Sequence, residues 1–225
     1  MTIESGPDPA GLGPLGLDHL QAHHGDFANF RDAMINSSAG RFGPIWWGVF
    51  DTYVHQAESV VDLGTGPGLL LPMLRARLPD AQITGVEVQP EMLEPAAENA
   101  ALAGATLLQA NLEQPLPLAD GCADLVTCVM VFHELPHPPP LMAEMARLLK
   151  PGGRILLYDW LRRDLRNYLA DDQELTPGTL QHFREHCLFS LDDLEFLAER
   201  NGLRVLESVG RRGGRFAILA LEKPV

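Results

Sequence analysis

The sequence has little cysteine and no long apolar run. Its three cysteines are an odd number, and none of their spacings resembles a metal-binding pair. A disulfide framework is therefore not predicted, and buried free thiols in a reducing cytoplasm fit the composition. No apolar stretch approaches the roughly 20 residues that a membrane-spanning helix needs, and the first residues lack the pattern of a signal peptide. We therefore expect a cytoplasmic protein without a membrane span.

Basic residues are also scarce. The 225-residue chain has 17 Lys and Arg against 30 Asp and Glu, which gives a formal net charge of −13. Nucleic-acid binding relies on clustered Lys and Arg, and the short clusters Arg162-Arg163 and Arg211-Arg212 are too small to reverse this balance. The charge argues against a nucleic-acid partner and favours a small-molecule substrate. The length fits a single domain, and the sequence leaves the oligomeric state open.

The most informative stretch is 60–68, which reads V-V-D-L-G-T-G-P-G. Its apolar start predicts the end of a buried strand, and the three leucines that follow open a helical pattern. Because glycine has no Cβ, the backbone at Gly64, Gly66 and Gly68 can bend sharply and lie against a ligand. Free N–H groups of the turn and the following helix N-terminus favour hydrogen bonds to that ligand.

A second predicted strand, 82–87, ends in Glu87, whose carboxylate can accept both hydroxyls of a ribose. The pattern Asp62-x-Gly-x-Gly-x-Gly followed by Glu87 resembles the class I S-adenosylmethionine-dependent methyltransferases. The resemblance implies S-adenosylmethionine as cofactor, with the glycines against its methionine part. It also implies that Asp62 orders the loop, through backbone amides or a water. It covers 58–160 and, by pattern only, 189–223.

The same resemblance implies further cofactor contacts after the other strands. Val88 follows the acid, and Val129 lies in the fourth predicted strand. Asn111 and Leu112 follow the third strand, where relatives often place an acid and an apolar residue against the adenine. Asn111 departs from that pattern, but its side-chain oxygen can still accept a hydrogen bond.

Strands and helices alternate along the predicted fold. We expect strands at 59–64, 82–87, 106–110, 123–132 and 154–160, with helices at 69–78, 90–103 and 141–149. This order predicts right-handed crossovers and a doubly wound, mostly parallel, seven-stranded Rossmann-like α/β sheet.

Three further segments complete the predicted single domain, 17–225. Ser190 caps a helix that Gly202 ends, and a C-terminal antiparallel hairpin follows at 203–209 and 215–221. Residues 17–57 are expected to form an N-terminal helical cap, and 161–188 an insertion on the substrate side. The Gly- and Pro-rich residues 1–16 are expected to be a disordered tail.

Candidate substrate contacts come from the cap and the insertion. Trp46, Trp47, Tyr53 and, more loosely, Phe42 offer rings that can cover an acceptor or simply pack a helix on the sheet. His186 lies in the insertion.

His133 is the candidate catalytic residue and a further substrate contact. It follows the fourth strand at the edge where α/β sheets bind ligands, and an ordinary histidine pKa suits a general base near neutral pH. The alternative is that His133 packs against the cofactor or caps the loop.

Two apparent metal motifs do not carry a metal prediction. Residues 133–137 read H-E-L-P-H, which matches the zinc-protease pattern, but Pro136 prevents the helix on which both histidines must share a face. His19, His23 and His24 lack a further ligand set. We therefore predict no metal site.

The resulting hypothesis is an enzyme that transfers the methyl group of S-adenosylmethionine to a small-molecule acceptor by in-line displacement. The acceptor, its nucleophilic atom and the need for a base stay open. One alternative is an NAD-type α/β oxidoreductase. Leu69 argues against it, because the dinucleotide fingerprint needs its third glycine at this position. The other is a non-catalytic module that binds S-adenosylmethionine.

Overall fold

The computed structural model describes residues 3–5, 44–54, 56–162, 164–165, 169, 174–186, 189–211 and 216–225, apart from the side chains of 3–5, 44–46, 182, 185, 186 and 211. The strands in these ranges are β1 (Ile3–Ser5), β2 (Ser59–Leu63), β3 (Gln82–Glu87), β4 (Thr106–Gln109), β5 (Ala123–Val129), β6 (Leu149–Trp160), β7 (Arg204–Arg211) and β8 (Phe216–Glu222). The helices there are α1 (Pro44–Val54), α2 (Leu71–Arg77), α3 (Pro90–Ala103), α4 (Pro139–Leu148), α5 (Pro177–His186) and α6 (Leu191–Arg200). A short 3₁₀ turn, Phe132–Glu134, separates β5 from α4.

The strands form one sheet in the order β1-β4-β3-β2-β5-β6-β8-β7. Strands β1 to β6 are parallel to one another, whereas β8 runs antiparallel to both β6 and β7. The predicted doubly wound, mostly parallel sheet with a C-terminal antiparallel pair is confirmed. An eighth strand, β1, lies at the edge beside β4, where the sequence predicted a disordered tail; the other residues of 1–16 lie outside the described part.

Helices cover both faces of the sheet and bury two apolar clusters. On one face α1, α2 and α3 pack through residues such as Phe50, Leu74 and Ala96. On the other face α4 and α6 pack through residues such as Met145 and Leu194. Strand β5 is buried on both faces, which explains why its sequence is almost continuously apolar.

Local signals in the sequence set most element ends. Gly104 and Gly202 adopt φ of +59° and +72° after α3 and α6, at the predicted stops. Ser190 caps α6 as predicted, since its Oγ accepts from the Asp193 amide at 3.2 Å. Strand β5 is shorter than the predicted 123–132, because Met130 adopts φ of +59° and turns the chain out of the sheet.

Parallel pairing places the carboxyl ends of β2, β3, β4, β5 and β6 at one edge. The chain runs from β2 outward through β3 to β4 and then returns to β5 on the other side of β2. The order therefore reverses between β2 and β5, and ligands of open α/β sheets bind at this topological switch point. Within the described ranges, no helix combines the length and apolar character needed to cross a membrane.

Candidate active site

The glycine loop follows β2 at the switch point, and its backbone is left-handed at all three glycines. Gly64, Gly66 and Gly68 have φ of +63°, +54° and +76°. A Cβ on Gly64 would overlap the methyl groups of Val131, which follows β5. A Cβ on Gly68 would come within 3.1 Å of Ala96 Cα in α3. Glycine is therefore required at 64 and 68 by both conformation and close packing.

The Asp62 side chain links the glycine loop to strand β5. It is 2% exposed, and its carboxylate accepts from Thr65 Oγ1 at 2.7 Å and from Thr127 Oγ1 at 2.6 Å. Thr127 lies directly opposite Asp62 in the β2–β5 register, a contact that the sequence did not reveal. These hydrogen bonds come from hydroxyl groups and not from the backbone amides through which Asp62 was expected to order the loop. Burial raises the pKa of Asp62 to about 6, although both hydroxyls oppose the shift.

This raised pKa predicts a pH-dependent cost of keeping Asp62 charged. A carboxyl whose pKa is about 6 in the folded state and ordinarily 3.8 stabilises the folded state at low pH, and this stabilisation is lost as the pH rises from 3.8 through 6. Relative to Asp62→Asn, the wild-type unfolding free energy should therefore fall by about 2–3 kcal/mol between pH 4 and 7. Urea denaturation of both proteins across this range measures it, and a difference that stays constant with pH would contradict it.

Glu87 joins the end of β3 to the glycine loop. Its Oε2 accepts from the Gly66 amide at 2.9 Å, and its Oε1 accepts from the Val88 and Gln89 amides, each at 2.9 Å. Burial raises the pKa of Glu87, while these three amides oppose the shift and the charge of Asp62 adds to it. A carboxylate offers about four acceptor positions, so three are filled by the backbone and one remains on Oε2.

Gln89 is a site residue that the sequence analysis missed. The residue is 6% exposed, and its Nε2 is buried with no hydrogen-bond partner among the described residues. Buried donors are normally paired, so this one calls for an acceptor from outside the described residues, such as a bound ligand. The signal in the sequence is only a polar residue two positions after Glu87, at the start of α3. An unpaired donor beside a carboxylate fits a ligand that carries hydroxyl groups or ring nitrogens.

The remaining predicted cofactor residues lie along the same edge. Asn111 uses its Oδ1 to accept from the Glu113 amide at 3.0 Å, which forms a local turn and leaves the oxygen a second acceptor position. Leu112 beside it is 8% exposed and joins the apolar core. Val129 ends β5, half-buried, and Val88 follows β3. The sheet thus brings the ends of β2, β3, β4 and β5 to one edge.

The surroundings of His133 do not suit the predicted general base. Its Nδ1 lies 2.6 Å from Asp159 Oδ1, and its Nε2 lies 3.0 Å from Glu134 Oε1. Burial opposes the charged ring, but the two carboxylates outweigh it and raise the pKa of His133 to about 10. A ring that holds both protons has no lone pair with which to accept another. These contacts favour an ion-paired imidazolium over the predicted base role.

The predicted aromatic substrate contacts are corrected at two positions. The Tyr53 hydroxyl donates to Glu207 Oε2 at 2.9 Å, and the Tyr53 ring lies 6.0 Å from the Arg154 guanidinium, near the amino-terminal half of β6. Trp47 is 8% exposed and stacks on Arg77 at 3.2 Å. Tyr53 therefore packs α1 against β6 and β7, and Trp47 packs α1 against α2. The side chains of Trp46 and His186, and all of Phe42, lie outside the described residues.

The helix of the insertion does reach the candidate site. Helix α5 lies against the 3₁₀ turn that carries His133 and Glu134. That turn ends at Glu134 and α4 begins at Pro139, so His133 and His137 share no helix and the zinc-protease pattern is not formed. Among the described residues no cluster of three or more His, Cys, Asp or Glu suits a metal ion. His19, His23 and His24 lie outside that part of the chain.

Comparison with known proteins matches this geometry to a family. Residues 61–157 match the family described as "Methyltransferase domain". Over this stretch the chain is similar to S-adenosylmethionine-dependent methyltransferases. A demethylmenaquinone methyltransferase from Deinococcus radiodurans is 33% identical over 114 residues, which are 49% of this chain and 46% of that protein. An arsenite methyltransferase from Halobacterium salinarum is 28% identical over 156 residues, 67% of this chain and 38% of that protein.

Comparison with a solved structure agrees with the fold described above. A SAM-dependent methyltransferase from Aquifex aeolicus superimposes with a TM-score of 0.67 at 22% identity, covering 87% of this chain and 98% of that one. At this identity the likeness establishes the fold. The chain spans less than half the length of the first curated relatives it matches.

Proposed function

We propose that the protein is an enzyme that transfers a methyl group from S-adenosylmethionine to a small-molecule acceptor. The observation that carries the proposal is the bond from the Gly66 amide to Glu87, which joins the glycine loop of β2 to the acid of β3 at the switch point. In a methyltransferase domain this pairing supports a cofactor that spans both strands.

The cofactor would lie along the carboxyl edge from β2 to β4. Glu87 has one acceptor position left for a ribose hydroxyl, and the unpaired Nε2 of Gln89 supplies a donor beside it. At Gly64 and Gly68 the side on which a Cβ would lie is filled by protein. The methionine part would therefore contact the other side of the glycine-loop backbone. Val88, Val129, Asn111 and Leu112 are the candidates for the adenine side.

Bound S-adenosylmethionine supplies a methyl carbon that is already electrophilic. The chain then has to hold the acceptor in line with that carbon and to exclude water. The turn after β5 and helix α5, which lies against it, would do both. Because both ring nitrogens of His133 are engaged, the proposal assigns no proton transfer to this ring. An acceptor with its own lone pair, such as an amine or a thiolate, requires none.

The acceptor is proposed to be small and not a nucleic acid. The net charge of −13 would repel a phosphate backbone. The two relatives are named for a quinone precursor and for arsenite, and both of these are small molecules. Their chemistry differs so widely that their names favour no single acceptor class.

Two measurements on the purified chain test the proposal. Calorimetry with S-adenosylhomocysteine should show one binding site, and radiolabelled S-adenosylmethionine should transfer its label to at least one member of a panel of amines, thiols, phenols and quinols. Binding without transfer across the panel would favour the non-catalytic module. Binding of NADH in place of S-adenosylhomocysteine would favour the oxidoreductase and overturn the proposal.

A further inference from the structure

The turn after β5 is held by a single carboxylate from the end of β6. Asp159 is 1% exposed, and its Oδ2 accepts from the Val131 amide at 3.1 Å and from the Phe132 amide at 2.7 Å. Its Oδ1 lies 2.6 Å from His133 Nδ1 and accepts from the Trp160 amide at 2.7 Å. Three consecutive residues of the turn are thus bonded to one buried side chain.

The geometry of the ring contacts favours a charged histidine. A neutral imidazole has one N–H and can donate to only one partner. Both nitrogens of His133 lie within hydrogen-bond distance of carboxylate oxygens, at 2.6 Å from Asp159 and 3.0 Å from Glu134. Two donors satisfy both contacts, and the raised pKa of about 10 for His133 agrees with that state. The ring therefore links a buried carboxylate to one nearer the surface.

The same turn forms the side of the switch point that faces the glycine loop. The methyl groups of Val131 occupy the space that a Cβ on Gly64 would take. Met130 precedes it with φ of +59°, and its amide donates to Tyr158 O at 2.7 Å. A left-handed methionine is a strained conformation that the surrounding structure must impose. The position of Val131 against the loop therefore depends on the bonds to β6.

We propose that Asp159 and His133 form an ion-paired positioning unit that fixes residues 130–134 against the glycine loop, and that neither is the base of the reaction. Asp159 binds the backbone of the turn, and the charged ring of His133 links Asp159 to Glu134. Loss of the unit releases Val131 from Gly64 and changes the shape of the cofactor site. This inference rests on the proposed function only for the identity of the ligand.

The charged groups around the ring come from three elements. Asp159 faces it from β6 and Glu134 from the turn itself. Helix α5 lies against the turn, and its described charged side chain, Arg184, is exposed. The side chains of the other titratable residues of that helix lie outside the described part, namely His182, Glu185 and His186. Asp159 and Glu134 are therefore the partners whose removal is informative.

The first experiment tests the charge of the ring in the wild-type protein. Nitrogen-15 NMR distinguishes the two neutral tautomers from the imidazolium, and loss of one signal set in His133→Gln assigns the residue among the eight histidines. The expected result is a His133 ring protonated on both nitrogens at pH 7. A neutral ring at pH 7 would overturn the proposal without any variant of Asp159.

The second experiment compares two matched carboxylates at opposite ends of the sheet. Asp124 accepts from the Glu58 and Ser59 amides and from Lys150 Nζ at 2.9 Å, so Asp124→Asn removes a comparable anchor far from the site. Asp159→Asn should lower the pKa of the His133 ring by about one unit or more. It should also weaken S-adenosylhomocysteine binding roughly tenfold, whereas Asp124→Asn should leave binding within about twofold.

The outcomes separate this inference from the proposed function. Equal losses of affinity in both variants, or none in Asp159→Asn, would show that Asp159 is only a structural anchor. If the wild type binds no S-adenosylhomocysteine, the proposed function fails, and the ring titration in Asp159→Asn still decides the pair. If Asp159→Asn does not fold, His133→Asn serves instead, since its amide nitrogen replaces the ring Nδ1 as donor toward Asp159 while the charge and the contact with Glu134 are lost. Unchanged turn amide shifts and affinity in that variant would contradict the proposal.

Discussion

Glu87→Ala is expected to weaken S-adenosylhomocysteine binding by more than about tenfold, because it removes a charged acceptor for the ribose. The same change leaves the Gly66, Val88 and Gln89 amides without their acceptor. Two of these donors, the Gly66 and Gln89 amides, are buried, and each costs about 1–3 kcal/mol when it loses its partner, so the unfolding free energy should also fall by about 2–6 kcal/mol. Calorimetry and urea denaturation measure the two effects separately.

Glu144→Ala is the matched control for Glu87→Ala. Glu144 also accepts from a backbone amide, that of Leu116 at 2.8 Å, and binds Arg147, but it does so on α4 away from the cofactor edge. It should lose stability and keep its affinity. Glu87→Gln, which preserves shape but not charge, should fall between the wild type and Glu87→Ala. A folded Glu87→Ala protein that binds S-adenosylhomocysteine like the wild type would remove Glu87 from the ribose site.

Most of the fold could be predicted because its signals are local. Gly104 and Gly202 end helices through their own backbone conformation, and Ser190 caps a helix through a residue three positions away. The end of β5 could not be predicted in the same way. Nothing in the sequence around Met130 demands a left-handed residue, and the bond from its amide to Tyr158 O comes from another strand.

In the candidate site, too, features set by the topology could be predicted, and features set by distant contacts could not. Strand-end residues such as Glu87 could be predicted because parallel topology alone brings them to one edge. The role of His133 could not, since its pKa depends on Asp159, 26 residues further along the chain. Tyr53 was wrongly assigned for the same reason, because its partner Glu207 is 154 residues away. Residue type and spacing predict where a side chain lies more reliably than what it touches.

Gly64→Ala should be as damaging as Glu87→Ala, although it adds only one methyl group. The new Cβ would overlap Val131 Cγ2 and lie 2.9 Å from its Cγ1, at a φ of +63° that alanine disfavours. Left-handed strain of about 1–2 kcal/mol and the overlap together should lower the unfolding free energy by about 2–4 kcal/mol. Because the turn carrying Val131 must move, S-adenosylhomocysteine affinity should fall by more than about tenfold.

Two companion variants separate the overlap from the strain. Gly48→Ala, where no atom of the described residues lies within 4 Å of the added Cβ, should keep both stability and affinity. In the double variant Gly64→Ala/Val131→Ala the nearest valine atom left is Cβ, at 3.2 Å, so the overlap is largely relieved. The double variant should therefore regain affinity relative to Gly64→Ala while keeping the loss of about 1–2 kcal/mol from the left-handed alanine. Equal affinity in the single and double variants would show that contact between the two strand-end turns does not shape the cofactor site.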